Sequence, residues 1–93
     1  MHRDRDFDDP VYKDWRKKVF NRDRYKCQMP GCGKRRCKLH VHHIKKWSAA
    51  SGLRYETSNG ITLCRSCHKD VTNKEHFYEA LLSDIAWNNE KDF

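Results

Sequence analysis

Ninety-three residues, 37% of them apolar and 35% charged, allow one domain whose core is too small to be secure by burial alone. Five cysteines are an odd number, no apolar leader opens the sequence, and no apolar run approaches the ~18 residues of a membrane span. These features argue against a secreted disulfide framework and against a membrane protein, and they favour a reducing cytoplasm with thiolates free to bind metal. The net charge of +7 is uneven: residues 1–46 hold 15 Lys and Arg against 6 Asp and Glu, whereas residues 47–93 hold 5 against 7.

In chain order, residues 1–9 are charged and expected to be loose. Asp9-Pro10 reads as a helix start, with Asp as N-cap and Pro at the first helical position. Val11, Tyr12, Trp15, Val19 and Phe20 follow at helical spacing, with Lys13, Arg16 and Lys17 outward, and the helix should end between residues 21 and 24. Residues 27–33 read as a knuckle, in which Pro30-Gly31 and Gly33 permit a tight turn between Cys27 and Cys32. Residues 39–44 form a short strand by their Leu39, Val41 and Ile44, and residues 45–58 a loop. A second strand covers residues 61–63 after the Asn59-Gly60 turn signal, and a short helix opens near Cys64. Thr72 and Glu75 fit a capping box for a last helix over residues 73–88, with an apolar stripe of Phe77, Tyr78, Leu81, Leu82 and Ile85. The fold class is therefore α+β, a small zinc-stabilised domain occupying residues 1–93, with its metal-bearing core at residues 27–70.

Cys27-x4-Cys32 and Cys64-x2-Cys67 have the spacing of a tetrahedral zinc site, and four sulfurs leave no open position, so this zinc is structural. Cys37 competes with the first pair, lying as far after Cys32 as Cys32 lies after Cys27; the turn residues favour Cys27 and Cys32. A separate set, His42, His43, Asn59 and His68, ends one strand, opens the next and sits on the following helix. Neutral imidazoles there can bind a divalent ion while another takes a proton from water, a combination suited to phosphodiester hydrolysis. In a regular strand His42 and His43 point apart, and His40 shares the face of His42 as a competing third ligand or phosphate contact. Lys34, Arg35, Arg36, Lys38, Lys45 and Lys46 precede or follow the histidine pair with no acid among them, and with Arg54 and Arg65 they are candidate phosphate contacts.

Four segments carry a resemblance: Trp15 to Phe20, Arg22 to Gln28, His40 to Trp47 and Asn59 to His68. Together they resemble the HNH endonucleases, in particular small, zinc-stapled, phage-type members, over residues 12–72. The resemblance implies a ββα-metal, treble-clef-like hairpin plus helix, flanked by N- and C-terminal helices. It implies that His42 and His68 bind the catalytic divalent ion (Mg²⁺, Mn²⁺ or another), that His43 is the general base, and that Asn59 orients the base and its loop. It further implies DNA as substrate, nicked or cut in both strands, and for a phage-encoded chain the host cytoplasm, with phage terminase or portal proteins as conceivable partners. Two other readings stand beside it. One is a zinc-finger-like DNA-binding module without catalysis, which leaves His43, Asn59 and His68 unexplained. The other is a subunit active only with a packaging partner.

Overall fold

The computed structural model describes residues 9–45 and 55–92; residues 1–8 of the segment 1–9 expected to be loose, and the loop residues 46–54, with Lys46 and Arg54, lie outside the described residues. Helix α1 spans Pro10–Arg22 and is capped as the sequence predicts, with the Asp9 carboxylate accepting from the Val11 amide at 2.9 Å and Pro10 in the first turn. Strand β1 (Leu39–His43) pairs antiparallel with β2 (Gly60–Cys64), the register setting His42 against Ile61 and His43 against Gly60. A single 3₁₀ turn, Thr57–Asn59, leads into β2, α2 (Arg65–Val71) follows it without a break, and α3 (Glu75–Asp92) closes the chain. This is a zinc-finger-sized α+β fold, a hairpin and helix flanked by two further helices. None of the described helices is long and apolar enough to cross a membrane.

Two clusters make the core. One holds Ile44, Ile61, Leu63, Val71, Leu82 and Ala86 together with Cys27 and Cys64; the other holds Tyr12, Trp15 and Val19 of α1. β2 is buried along its whole length between them. At the edge of this small core lies an ionic network that sequence periodicity did not signal. Arg22 and Asp23 close α1 with their side chains 1% and 0% exposed. The Arg22 guanidinium donates to both Asp23 oxygens (2.8 and 3.0 Å), to the carbonyls of Thr57 (2.6 Å) and Gly60 (2.7 Å), and to Glu90 (3.1 Å). Asp23 in turn accepts from the Thr62 amide at 2.8 Å and from the Asn89 side chain at 2.9 Å. Every element except β1 and α2 is tied at this point, and the charges are tolerable in the interior because nearly all their hydrogen-bonding capacity is used.

Two expectations need correction. Thr72 is not the cap of α3: its hydroxyl donates to the His68 carbonyl at 2.8 Å and closes α2, and α3 begins three residues later. The apolar stripe of α3 is also rotated from the expected one. Leu82 and Ala86 are buried, with Tyr78 and Ile85 packed beside them, whereas Phe77 and Leu81 are 74% and 41% exposed. Val11 of α1 is likewise exposed. The face that packs is chosen by what it meets, here the zinc knuckle and the Asp23 network through Asn89.

Candidate metal centres and active site

The four sulfurs of Cys27, Cys32, Cys64 and Cys67 all lie within 4.8 Å of one another, the one group of metal-binding type with that property among the described residues. Cys32 and Cys64 are 3.8 Å apart, close to the edge of about 3.8 Å that zinc–sulfur bonds of about 2.3 Å give a tetrahedron. The knuckle is built as its glycines require: Gly31 and Gly33 take φ of +85° and +67°, and the Cys32 amide reaches back to the Met29 carbonyl at 3.0 Å. The Cys67 amide points at the Cys64 sulfur (3.4 Å), and this backbone contact brings the Cys64 thiol down to about 7. Burial pushes the thiols of Cys27 and Cys67 up, so a bound cation must draw off their protons. Cys37 is exposed and outside the cluster, which resolves the competition in favour of the x4 pair.

The histidines of β1 divide as strand alternation demands. His43 stacks on the Trp15 indole, ring centroids 4.3 Å apart and planes 16° from parallel. The slot for that indole exists because Gly60, the cross-strand partner of His43, has no side chain: a Cβ there would fall 2.6 Å from Trp15 Cζ2. Trp15 is fixed at its other end by Nε1, which donates to the Glu56 carbonyl at 2.8 Å. Neither Trp15 nor Gly60 was singled out for this role by the sequence, since an aromatic at helical spacing reads as core.

His42 faces the other way, toward α2, with its ring 5.3 Å from that of His68, and His40 lies 5.1 Å from the same ring. The Nε2 atoms of His40 and His42 are buried with no hydrogen-bond partner among the described residues. Burial and the neighbouring His68 pull His42 down to about 4, so its imidazole is neutral, and hence a competent ligand, at neutral pH. A buried, orphaned ring nitrogen beside a second imidazole fits the donor chemistry of a divalent ion.

Asn59 pins the end of β1. Its Oδ1 accepts from the Lys45 amide (2.9 Å), its Nδ2 donates to the Lys45 carbonyl (3.3 Å), and its own carbonyl accepts from the Ile44 amide (2.8 Å). A cleft of about 230 Å³ opens beside the imidazoles, lined by His40, Arg65, His68, Lys69 and Thr72. Arg65, expected from the sequence to contact phosphate, lines this cleft, and Lys69 joins it one helical turn on. Lys34, Arg35, Arg36 and Lys38 are exposed on the connection between knuckle and β1, whereas exposed Lys45 is ion-paired with Glu79.

A hairpin and helix pinned by four sulfurs, with imidazoles facing one another from strand and helix, is the architecture of a ββα-metal nuclease domain. The family model of the HNH endonucleases matches residues 27–74, just over half of the chain, and the chain belongs to that family. The matched span contains all four clustered cysteines and His42, His43, Asn59 and His68. No curated protein and no solved structure matches the chain.

Proposed function

We propose that the protein is a metal-dependent endonuclease that hydrolyses DNA phosphodiester bonds, with His43 as general base and His42 and His68 as ligands of the divalent ion. The carrying observation is the division of labour in β1: adjacent histidines face opposite ways, one against Trp15 and the other beside His68 with an orphaned Nε2.

When bound, the ion supplies charge stabilisation at the phosphate oxygens. His43 takes the proton from the attacking water, and Trp15 holds its ring plane so that little orientation is lost in reaching the transition state. Asn59, bonded to Lys45, keeps the end of β1 in register with the base. Arg65 and Lys69 at the cleft, with Lys34, Arg35, Arg36 and Lys38 outside it, hold the DNA backbone without reading sequence. Lys45 contributes less, its charge being answered by Glu79. A zinc held by the four cysteines would be structural, because four sulfurs leave no position open. If the chain is phage-encoded, it acts in the host cytoplasm.

The test is supercoiled-plasmid nicking with Mg²⁺, Mn²⁺, Ni²⁺ or EDTA, comparing wild type with His43→Ala. Ion-dependent nicking that the variant loses, with DNA binding and zinc content retained, is expected. No cleavage with any ion, alongside salt-sensitive DNA binding, would instead identify a zinc-stabilised binding module. Cleavage only with an added terminase or portal protein would identify a partner-dependent subunit.

A further inference from the structure

Strand β1 brings a second imidazole to the ion site besides His42. We propose that His40 is a third protein ligand, completing a three-imidazole site with His42 and His68 that selects a transition ion over Mg²⁺. This rests on the reading of His42 and His68 as ligands.

Ring spacing supports it. With metal–nitrogen bonds of about 2.0–2.1 Å, two imidazoles on one ion at a tetrahedral angle have centroids about 5.2 Å apart. The separations from His68 are 5.1 Å for His40 and 5.3 Å for His42. Among the described residues the three imidazoles do not bring one nitrogen each within 4.8 Å of one another as the four sulfurs do, so an ion would have to draw them together. Rotation about χ2 turns a ring's nitrogens while leaving its centroid almost in place, and that torsion is soft for histidine.

His40 and His42 share another property: each Nε2 is buried and lacks a hydrogen-bond partner among the described residues. Leaving one such nitrogen unsatisfied is costly, so two side by side require an explanation. A shared ion satisfies both. Helix α2 offers no alternative third ligand on the same face, because one turn after His68 stands Thr72, whose hydroxyl is committed to the His68 carbonyl. His40 also lines the cleft with His68, so the ion would sit at the cleft wall, within reach of a phosphate held by Arg65 and Lys69. Three neutral nitrogens and no carboxylate favour ions such as Ni²⁺, Co²⁺ or Zn²⁺, whereas Mg²⁺ prefers oxygen.

The experiment is calorimetric titration of Ni²⁺ and of Mg²⁺ into the zinc-loaded full chain at pH 7.5, with zinc content measured before and after. Wild type is compared with His40→Gln, His42→Ala and Glu75→Gln, the last because the Glu75 carboxylate acts on His42 electrostatically. His40→Gln is expected to weaken Ni²⁺ binding at least ten-fold, to leave the much weaker Mg²⁺ binding unchanged, and to keep the ion-free melting temperature. Ni²⁺ affinity within two-fold of wild type in His40→Gln, while His42→Ala loses it, overturns the third ligand and leaves the two-histidine site standing. Loss in Glu75→Gln but not in His40→Gln overturns it in favour of a carboxylate ligand. Unchanged affinity in both His40→Gln and His42→Ala overturns the proposal together with the ion site on which it rests. Should His40→Gln melt lower, His40→Phe, which keeps the ring and removes the nitrogens, must still lose Ni²⁺ affinity.

Discussion

Gly60→Ala isolates the contact that holds His43, the proposed base. The added Cβ would lie 2.6 Å from Trp15 Cζ2, 2.9 Å from Val19 Cγ2 and 3.2 Å from Trp15 Cε2. Ordinary carbon contacts are about 3.5–4.0 Å, so the indole must retreat by about 1 Å. It has nowhere to go: Trp15 is 2% exposed, Val19 is fully buried, and His43 stacks on the indole. Backbone strain plays no part, since Gly60 has φ of −121° and ψ of 150°, ordinary extended values. Overpacking of this kind costs about 1–3 kcal/mol, and losing a glycine from the unfolded chain returns about 0.4–1 kcal/mol. The net loss of roughly 1–2 kcal/mol lowers the melting temperature by about 5–15 °C in a domain this size. Nicking at 25 °C, where the variant is still folded, should fall further than the unfolded fraction explains, because the displaced indole carries the His43 ring with it. Thermal melting by near-ultraviolet circular dichroism and plasmid nicking read the two effects separately. A melting temperature that rises by a few degrees with nicking intact would refute the reasoning, because that is the outcome of the entropy change alone.

Asp23→Ala leaves the buried Arg22 with Glu90 as its one remaining counter-charge among the described residues and strips the Thr62 amide of its acceptor. It should cost about 3–5 kcal/mol in urea denaturation; a loss under about 1 kcal/mol would show that the network is not holding the elements together. Cys32→Ser should lose zinc and unfold, while Cys37→Ser keeps one zinc per chain; the reverse result by zinc stoichiometry would reassign the knuckle. Without added divalent ion, stability should decline as pH falls from about 6.5 toward 4. Over that window unfolded His42 takes up a proton that the folded protein refuses, worth up to roughly 3 kcal/mol, and the contribution is complete above about 6.5. His40, lowered by burial, adds the same sign. Chemical denaturation across this range should give a shallower slope for His42→Ala, and an unchanged slope would contradict the burial argument.

What the sequence made legible was chemistry that depends on local spacing. The cysteine pairs, the Asp9-Pro10 cap, the two short strands and the alternation separating His42 from His43 all follow from neighbours a few residues apart. Long-range reciprocity was not legible. Arg22-Asp23 reads as solvated charge at a helix end, and only the approach of Thr57, Gly60, Thr62, Asn89 and Glu90, all more than thirty residues away in the chain, makes it an interior ion pair. Trp15 read as core, which is correct and incomplete, because its second face belongs to His43. The buried seam of α3 missed by one step for the same reason: Phe77 and Leu81 are as apolar as Leu82, and the partners that choose between them lie elsewhere in the sequence.

Cys64 ends β2, supplies a zinc-site sulfur and accepts the Cys67 amide as the cap of α2, all with one residue. The helix that carries His68 therefore begins at the four-sulfur cluster. A chain newly made, or one whose thiols have been oxidised, would lack the metal tie that fixes the start of this helix. On the proposed reading, cutting competence would arrive only after zinc loading, and thiol damage would disarm the protein rather than leave it loose.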